Sequence, residues 1–352
     1  MKLLQKKLHI LKAYLIGWFI ASIIWYMASK FSSNTINFIN QSFTNDTVIF
    51  LVTWISQALL YGLLHLAIDR FIKNRVAFYK LQVYSLFSQI ITAVFLILII
   101  FFSFKITKVI SSKITILEFL DKLDGLWIVF LYALIVNFAI STIIYIDLVL
   151  GRGNLLKMIS GKFYTPKEDE KVFMFLDLKS STTYAEKLGH IKYSRLIQDC
   201  FHDLAIVNDY KARIYQYVGD EAVLTWSIKD GIEHNNCINA FFAFKDVLNE
   251  KSTYYQKNYG LVPEFKAGVN LGIIMVTEVG VLKREIAYHG DTINTTSRLE
   301  GECNRLGAEL VISENVLNAI DLNAQYAIKF EDNLLLKGKN TKVKMYSLKK
   351  TT

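Results

Sequence analysis

Proline and cysteine are scarce in this chain of 352 residues, which has two prolines and three cysteines. The cysteines, Cys200, Cys237 and Cys303, are far apart and form no CxxC pair. Disulfide frameworks and zinc sites need more closely spaced cysteines, so we predict that all three are small core residues in a reducing compartment. No low-complexity tract and no fixed-period repeat occurs, which excludes repeat architectures.

Charged residues are also few, at 20% of the chain, whereas hydrophobic residues make up 53%. This composition is too apolar for an ordinary soluble protein of this length. The apolar excess lies almost entirely before residue 151. Because the length fits about two domains of roughly 150 residues each, we predict a membrane domain over residues 1–150 and a second, different domain after it.

Four apolar runs in the first half are long enough to cross a bilayer as helices, which takes about 20 residues. The first is too long for a signal peptide and is followed by no cleavage pattern. Gln57, His65 and Asn137 lie inside these runs, and we favour interhelical hydrogen bonds over a ligand path for them. The predicted transmembrane helices, which contact membrane lipid, cover about residues 10–28, 48–68, 83–104 and 126–150.

The net charge of +9 comes largely from basic clusters that flank the apolar runs. The N-terminal tail and the loop around residues 70–80 are basic, whereas loops 32–47 and 105–125 are weakly charged or balanced. By the positive-inside rule, this pattern predicts an N-terminus inside, four crossings, and everything after residue 150 in the cytosol. No helix combines arginine with interleaved aromatic residues, as a helix that binds in a nucleic-acid groove would. We therefore predict no nucleic-acid partner.

The pattern changes after residue 150, where a polar linker over residues 151–171 precedes mixed strands and helices. Strands and helices that do not alternate strictly favour an α+β fold, in which helices cover a sheet. We predict strands at Val172–Leu178, Ile214–Val218, Ala222–Trp226, Phe265–Met275, Glu309–Ile312 and Lys342–Leu348, and helices at Tyr193–Val207, Ile232–Lys257, Thr292–Leu306 and Ser313–Ile320.

Two acidic residues stand at strand ends. Asp177 ends the first apolar strand, and the hydroxyl residues after it are candidate caps of a helix. Asp220 lies at the tip of a predicted hairpin, in the segment Tyr-Val-Gly-Asp-Glu. If the two carboxylates meet across neighbouring strands, they can hold divalent cations, and the helix N-terminus offers donors to phosphate. The alternative is that Asp177 and Asp220 are ordinary acidic residues in surface turns. For either residue alone, we would prefer this interpretation.

Five segments turn these patterns into a specific resemblance: FLDLKSSTTYAEKLG, YVGDEAVLTW, FKAGVNLGIIMVTEVG, HGDTINTTSRLEG and LKGKNTKVKMYSL. Their order resembles that in the catalytic domain of class III adenylate and guanylate cyclases, from Val172 to Leu348, and Gly290–Glu300 is the most diagnostic block. The resemblance implies a cytosolic catalytic domain over residues 172–350, with a ferredoxin-like antiparallel sheet covered by helices. It also implies conversion of a nucleoside triphosphate to a 3′,5′-cyclic nucleotide and pyrophosphate for intracellular signalling.

The resemblance assigns a role to each matching residue. Asp177, Asp220 and the carbonyl of Leu178 match the ligands of two divalent cations, Mg²⁺ or Mn²⁺, in the logic of two-metal catalysis. Asn294 matches the residue that orients the ribose, and Arg298 matches the residue that stabilises charge on the α-phosphate. The alternative for these two is a helix cap and a solvated charge.

Lys337 matches the lysine that grips the terminal phosphates. In the family the metal aspartates of one subunit face the Asn, Arg and Lys of the other, so a homodimer with sites at the interface is implied. The implied location is the cell membrane, as a multi-pass protein of the bacterial inner membrane.

Base recognition departs from the family pattern. Gln216 and Ala287 stand where adenylate cyclases commonly have a lysine and an Asp or Thr, and where guanylate cyclases have Glu and Cys. Glu285 and Tyr288 are candidate substitutes for Ala287, whose side chain cannot hydrogen-bond. Adenine is the favoured base because ATP is the family's commonest substrate, and guanine or a pyrimidine stays open.

Two other classes of function compete with an active cyclase. One is a catalytically silent nucleotide-binding module on a membrane anchor, and the other is a transporter or sensor regulated by its cytosolic domain. Asp177, Asp220, Asn294 and Arg298 are all present, which argues against decay to a silent module. Four crossings without an internal repeat argue against a transporter.

Overall fold

The computed structural model describes residues 2–31, 46–71, 78–106, 115–121, 126–151, 153–322, 325–335 and 342–351. The chain folds into two compact units, Met1–Leu150 and Gly151–Thr352.

Within its described residues, the first unit is helical. Its helices are α1 (Lys2–Phe31), α2 (Asp46–Phe71), α3 (Phe78–Ile106), α4 (Ile116–Asp121) and α5 (Leu126–Val149). A helix lies over each of the four apolar runs. Among the residues that the structure describes, two segments, Lys7–Ala28 and Trp127–Val149, are long and apolar enough to cross a membrane, and shorter apolar segments, Trp54–Ala67 and Gln82–Phe95, lie in α2 and α3.

Polar side chains of the first unit pair across its helices. Trp18 Nε1 on α1 donates to Asn137 Oδ1 on α5 at 3.3 Å. The hydroxyl of Tyr14 lies 3.2 Å from Nδ1 of His65 on α2. For His65 and Asn137 these contacts are of the kind expected from interhelical hydrogen bonding, which satisfies polar groups away from water.

The second unit forms one eight-stranded sheet with helices on its faces. Its strands are β1 (Lys167–Leu178), β2 (Arg213–Val218), β3 (Glu221–Ser227), β4 (Phe265–Val279), β5 (Glu285–His289), β6 (Leu310–Ser313), β7 (Tyr326–Leu335) and β8 (Lys342–Lys350). Its helices are α6 (Asn154–Ile159), α7 (Ser181–Asp203), α8 (Ile228–Ile232), α9 (Asn236–Glu250), α10 (Ser252–Tyr259), α11 (Asp291–Leu306) and α12 (Glu314–Ala319).

The strand order is β2-β3-β1-β4-β6-β8-β7, with β5 also paired to β4. The pair β4–β6 is parallel, so the prediction of an antiparallel sheet is wrong at this point. The reason is topological: the chain leaves β4 through β5 and α11, and such a crossover returns the next strand parallel to the first. β5 and β6 therefore share one edge of the long strand β4, while β1 occupies the other.

The sheet is covered on both faces, which explains why Val172, Phe173 and Met174 are all fully buried. Val172 and Met174 belong to the main core, packed with residues of α7 and α9. Phe173 belongs to a smaller apolar cluster on the opposite face, with Val223 and Ile274. Helix α11 lies on that second face, against Gly268 of β4.

The structure differs from the predicted elements in several places, and strands β5 and β7 have no counterpart among the predicted strands. β1 begins at Lys167, inside the predicted linker, because its charged first residues pair with β4 beyond the core. The single helix predicted over Ile232–Lys257 is three helices, broken at His234 and Asn235, which have positive φ, and again at Lys251. Ser180 stands at the N-cap of α7, but its side chain makes no capping hydrogen bond.

Gly268 allows α11 to approach the sheet closely. A β-carbon at Gly268 would lie 2.6 Å from the carbonyl oxygen of Thr296 and closer still to the backbone nitrogen of Glu300. We therefore expect Gly268→Ala to lower the free energy of unfolding by about 1–3 kcal/mol, as overpacking does. Urea unfolding of the chain measures this change in the free energy of unfolding.

Gly301→Ala is the matched control, because a β-carbon there meets no atom within 4 Å. In that exposed helical position, alanine should raise the free energy of unfolding by up to about 1 kcal/mol. Equal stability of Gly268→Ala and the unchanged chain would contradict the close approach.

Candidate active site

Asp177 and Asp220 lie at one end of the central strands. Asp177 is the next-to-last residue of β1. Asp220 lies in the two-residue turn between β2 and β3, where Gly219 has a φ of 62°, a conformation that glycine adopts without steric cost. β1 pairs with β3, with Leu176 opposite Ala222. The hairpin therefore carries Asp220 and Glu221 to the end of β1, beside Asp177.

Negative charge accumulates at this strand end. Burial raises the pKa of Asp177, and the carboxylates of Glu300 and Asp220 raise it further, against the opposite effect of Lys266. Burial, followed by the charges of Glu300, Asp177 and Asp220, raises the pKa of Glu221 to about 7. Four carboxyl groups thus lie within electrostatic reach of one another, which favours a bound cation.

Lys266 and Glu300 belong to the same cluster, and neither was predicted from the sequence. Lys266 Nζ lies 3.3 Å from Asp177 Oδ2 and 2.7 Å from Glu300 Oε1. Burial lowers the pKa of Lys266, but the Glu300 and Asp177 carboxylates outweigh it and raise the pKa above its usual value. The available signal was a lysine inside the apolar strand segment Phe265–Met275, since buried charges require partners.

The cluster fits a divalent metal by its chemistry. In the described part of the chain, no three side chains of His, Cys, Asp or Glu gather closely enough to hold a metal ion by themselves. Asp177 and Asp220 are two such side chains, and a backbone carbonyl such as that of Leu178 would be a further donor. These are hard oxygen donors, which Mg²⁺ and Mn²⁺ prefer, and a cation there would relieve the repulsion among the carboxylates.

Asn294 and Arg298 lie on the opposite side of α11 from this cluster. The buried face of the helix includes Thr296, Leu299 and Glu300, whereas Asn294 is exposed and Arg298 is half-buried. Helical periodicity puts Asn294 and Arg298 on one face and Thr296 and Glu300 on the other. Among the described residues, neither Asn294 nor Arg298 has a hydrogen bond or an ion pair.

The N-cap of α11 is Gly290, so the alternative of Asn294 as a helix cap is wrong. Asn294 and Arg298 are therefore polar side chains that project from the fold without partners in the described part of the chain. Lys337, the third residue of this predicted group, lies outside the described residues.

Gln216 and Tyr288 share a face of the sheet, and Ala287 lies on the other. Gln216 is exposed and pairs with Val223, just after a β-bulge at Tyr215. Val223 and Tyr288 belong to one apolar cluster. Ala287, the neighbour of Tyr288 on β5, is buried and faces the other way because side chains alternate along a strand.

Tyr215 of β2 contacts Tyr288 of β5, although β2 and β5 are not neighbours in the sheet. The backbone nitrogen of Tyr288 donates to the Tyr215 hydroxyl at 3.2 Å. Their ring centroids are 4.6 Å apart. Gln216 therefore follows directly a residue, Tyr215, that packs on Tyr288. Of these two tyrosines, sequence reasoning found only Tyr288, as a candidate.

A carboxylate pair at the strand ends of an α+β sheet, with a helix bearing unpaired polar residues beside it, is an arrangement suited to nucleotide chemistry. Residues 163–350 match the adenylate and guanylate cyclase catalytic domain family. The chain belongs to this family, the class III nucleotidyl cyclases, and the resemblance based on the five segments is confirmed.

The relatives include adenylate cyclase 2 of Rhizobium meliloti (strain 1021), to which the chain is 34% identical over 223 residues, covering 62% of this chain and 61% of the relative. An adenylate cyclase of Anabaena cylindrica is 23% identical over 185 residues, covering 50% of this chain and 36% of the relative. The chain therefore spans about three fifths or less of the length of these relatives.

A solved structure of a bacterial light-regulated adenylyl cyclase aligns with a TM-score of 0.53 at 17% identity. The alignment covers 65% of this chain and 66% of that one. This likeness shows the fold.

Proposed function

We propose that the chain is a membrane-anchored nucleotidyl cyclase that converts ATP to 3′,5′-cyclic AMP and pyrophosphate for intracellular signalling. The observation that carries the proposal is the meeting of Asp177 and Asp220 at the strand ends of a class III cyclase domain. The 3′-oxygen of the ribose attacks the α-phosphorus, the bond to the β-phosphate bridging oxygen breaks, and the 3′-hydroxyl proton is lost. The products are the cyclic phosphodiester and pyrophosphate.

Asp177, Asp220 and the Leu178 carbonyl would hold two divalent cations, Mg²⁺ or Mn²⁺. When bound, such ions supply Lewis-acid activation of the hydroxyl and neutralise the triphosphate charge. Asn294 orients the ribose, and Arg298 offers its guanidinium to the α-phosphate oxygens, where charge develops. Lys337 binds the terminal phosphates. Positioning and positive charge of this kind account for most catalysis of phosphoryl transfer.

Two copies of the chain form each active site in this proposal. Asp177 lies on the sheet side of α11, whereas Asn294 and Arg298 project from the opposite face of that helix. A second copy would place its own Asn294 and Arg298 over the first copy's carboxylates. The resulting homodimer has two equivalent sites, and the monomer is inactive.

Direct assay of product tests the proposed activity. Membranes that contain the chain are incubated with Mn²⁺ and each of the four ribonucleoside triphosphates in turn. We expect cyclic AMP as the main product, with membranes lacking the chain as the control. Binding of nucleotide without any cyclic product would instead identify a silent nucleotide-binding module.

Residues 1–150 would anchor the enzyme in the cell membrane as a multi-pass domain. The proposal is supported by a helix over each apolar run and by the two segments long enough to cross. Residues 151–171 would join this domain to a cytosolic catalytic domain.

We expect a protease added outside the cell to leave tags at Met1 and Thr352 intact and to cleave a tag near Asn40. The reason is that the basic loops favour the cytosolic side. Immunoblotting before and after permeabilisation measures the protection. External cleavage at Thr352 would overturn the topology and would put the catalytic domain where triphosphates are scarce.

The base is proposed to be adenine, read by the surface around Gln216. A neutral amide can donate to or accept from several base edges. It therefore discriminates less sharply than the charged residues it replaces. Tyr288 shares this face and is the candidate second contact.

We expect Gln216→Ala to lower the ratio of kcat/KM for ATP to that for GTP by up to about tenfold, the effect of one lost hydrogen bond to the base. Ala287→Ser tests the second position that the resemblance assigns to the base, and because Ala287 faces away from Gln216 we expect it to change this ratio less. Competition assays with all four triphosphates measure both ratios. Far faster cyclisation of CTP or UTP than of ATP would contradict the choice of adenine.

A further inference from the structure

The short helix α6 (Asn154–Ile159), at the start of the second unit, leaves its apolar side chains exposed. None of its residues is buried. Leu156 and Ile159 are 73% and 75% exposed, and Tyr164, which follows the helix, is 78% exposed. Leu156 and Ile159 are three residues apart and therefore lie on one face of the helix. Exposed apolar residues grouped in this way, unlike single scattered ones, mark a surface that binds something.

Backbone hydrogen bonds hold this segment to the sheet of the second unit. After α6 the chain turns back, with the Lys162 nitrogen donating to the Lys157 carbonyl at 2.9 Å. The carbonyl of Phe163 accepts from the Glu278 nitrogen of β4 at 2.8 Å. The Phe163 ring packs with Phe173 in the smaller apolar cluster. The exposed apolar residues are therefore attached to a fixed part of the domain.

Basic side chains gather around the same segment. Lys157 Nζ lies 5.9 Å, and Lys162 Nζ 5.7 Å, from the centroid of the Phe163 ring. Burial lowers the pKa of Lys157, and three neighbouring cations lower it further, against the opposite effect of one carboxylate. The cations are Arg213, Lys171 and Lys162, and the carboxylate is that of Asp169.

The acidic residues nearby leave this group of side chains with a net positive charge. Asp169 Oδ2 lies 2.9 Å from Lys171 Nζ, so its ion pair is with that one lysine. Glu168 and Glu170 precede and follow Asp169 in β1, and they lie on the opposite face because side chains alternate along a strand. In the described part of the chain, no carboxylate forms an ion pair with the other three cations, Lys157, Lys162 and Arg213.

The place of this segment in the chain indicates what covers it. Helix α5 contains Trp127–Val149, which is long and apolar enough to cross a membrane, and it ends at Val149. Lys157 comes eight residues later, a length of chain that spans at most about 30 Å when fully extended. In a chain anchored through α5, the exposed apolar residues and the cations therefore stay close to the lipid headgroups.

We propose that this surface, the connector patch, docks on the anionic headgroups of the membrane. Its apolar side chains enter the boundary between headgroups and acyl chains, and its cations bind the lipid phosphates, as in other interfacial segments. Docking holds one face of the second unit at the lipid surface. The inference rests on the proposed membrane anchoring and extends it. The patch consists of Leu156, Ile159, Tyr164, Lys157, Lys162 and Arg213.

Fluorescence quenching of the full chain in lipid vesicles tests the docking. The three cysteines of the chain are buried, so an Ile159→Cys variant takes a maleimide-linked NBD fluorophore at that position alone. We expect lipids with brominated acyl chains to quench it in vesicles that contain phosphatidylglycerol, and much less in vesicles of phosphatidylcholine alone. Added salt should reverse the quenching, because salt screens exposed charges.

Ile191→Cys is the matched control for the position of the fluorophore. Ile191 is 74% exposed, close to the value for Ile159. It lies on α7, which packs on the main core, at the opposite face of the sheet from Phe163. We expect a fluorophore at Ile191→Cys to be quenched equally little in both kinds of vesicle.

Two double variants test the charges of the connector patch. Lys157→Gln with Lys162→Gln should lower the ratio of docked to undocked chain about 25-fold, since each lysine near an anionic bilayer contributes about fivefold. Lys187→Gln with Lys192→Gln removes the same charge from exposed positions on α7 and should leave the ratio unchanged. Thermal unfolding of each variant verifies that it is folded.

Several results would overturn the docking. Equal quenching of Ile159→Cys in the two kinds of vesicle, or no effect of Lys157→Gln with Lys162→Gln, would remove the role of the anionic headgroups. Disulfide formation between copies of Ile159→Cys, without quenching, would identify the patch as a contact between two chains. A chain that does not co-float with vesicles would overturn this inference and the membrane anchoring together, whereas co-flotation without quenching overturns this inference alone.

Discussion

Replacing Asp177 or Asp220 with alanine is expected to abolish cyclic nucleotide formation, lowering kcat by at least about a thousandfold. Cation binding contributes several kcal/mol to such reactions, and in the proposed mechanism these two are the carboxylates that hold the cations. The variants should still fold, because Lys266 keeps its 2.7 Å ion pair with Glu300 when Asp177 is removed. The rate of cyclic AMP formation at saturating Mn²⁺ measures the effect, and thermal unfolding verifies the fold.

Asp169→Ala is the matched control for this experiment. Asp169 lies on the same strand as Asp177, at its other end, where its exposed carboxylate pairs with Lys171. Exposed ion pairs of this kind contribute little, about 0–1 kcal/mol. This variant should retain the activity of the unchanged chain. Cyclic AMP formation by Asp177→Ala at the same rate would end the assignment of this residue to the cations.

Mixing two inactive variants should restore activity if each site is shared between two copies. A dimer of one Asp177→Ala chain and one Arg298→Ala chain has one site with both defects and one with neither. With random pairing, about half of the dimers are mixed, so the mixture should recover about one quarter of the full activity. The assay is cyclic AMP formation after the two variants are co-expressed.

The control for complementation is co-expression of Asp177→Ala with Asp220→Ala. Both changes then affect the same half of the site, so every dimer lacks an intact site and no activity should return. Recovery in this control, or no recovery in the first mixture when mixed dimers are isolated by two tags, would argue that each chain builds its own site.

The strand-end carboxylates could be predicted from the sequence because each follows an apolar strand or lies in a turn. Asp177 follows VFMFL, and Gly219 before Asp220 marks a tight turn. Helix α11 was predictable for a similar reason, since the apolar and small residues of Thr292–Leu306 recur at helical spacing.

Lys266 and Glu300 could not be predicted as partners, because their contact depends on α11 packing across β4 and not on spacing along the chain. β5 and the beginning of β1 were missed because charged residues interrupt the apolar pattern that marks a strand. The break between α9 and α10 was missed because neither glycine nor proline occurs there. In each case tertiary contacts decide the local structure, as they commonly do.

Helix α11 packs tightly against β4, and this packing affects which amino-acid substitutions the domain tolerates. At Gly268 the backbone of the helix lies almost directly on the strand, and at Gly272 the side chain of Thr292, near the start of the helix, does so. We therefore expect the positions of Asn294 and Arg298 to depend on this close contact more than on the apolar side chains elsewhere in the domain. The main core beneath α7 and α9 could then repack around different aliphatic side chains while α11 keeps the position that the proposed dimer requires.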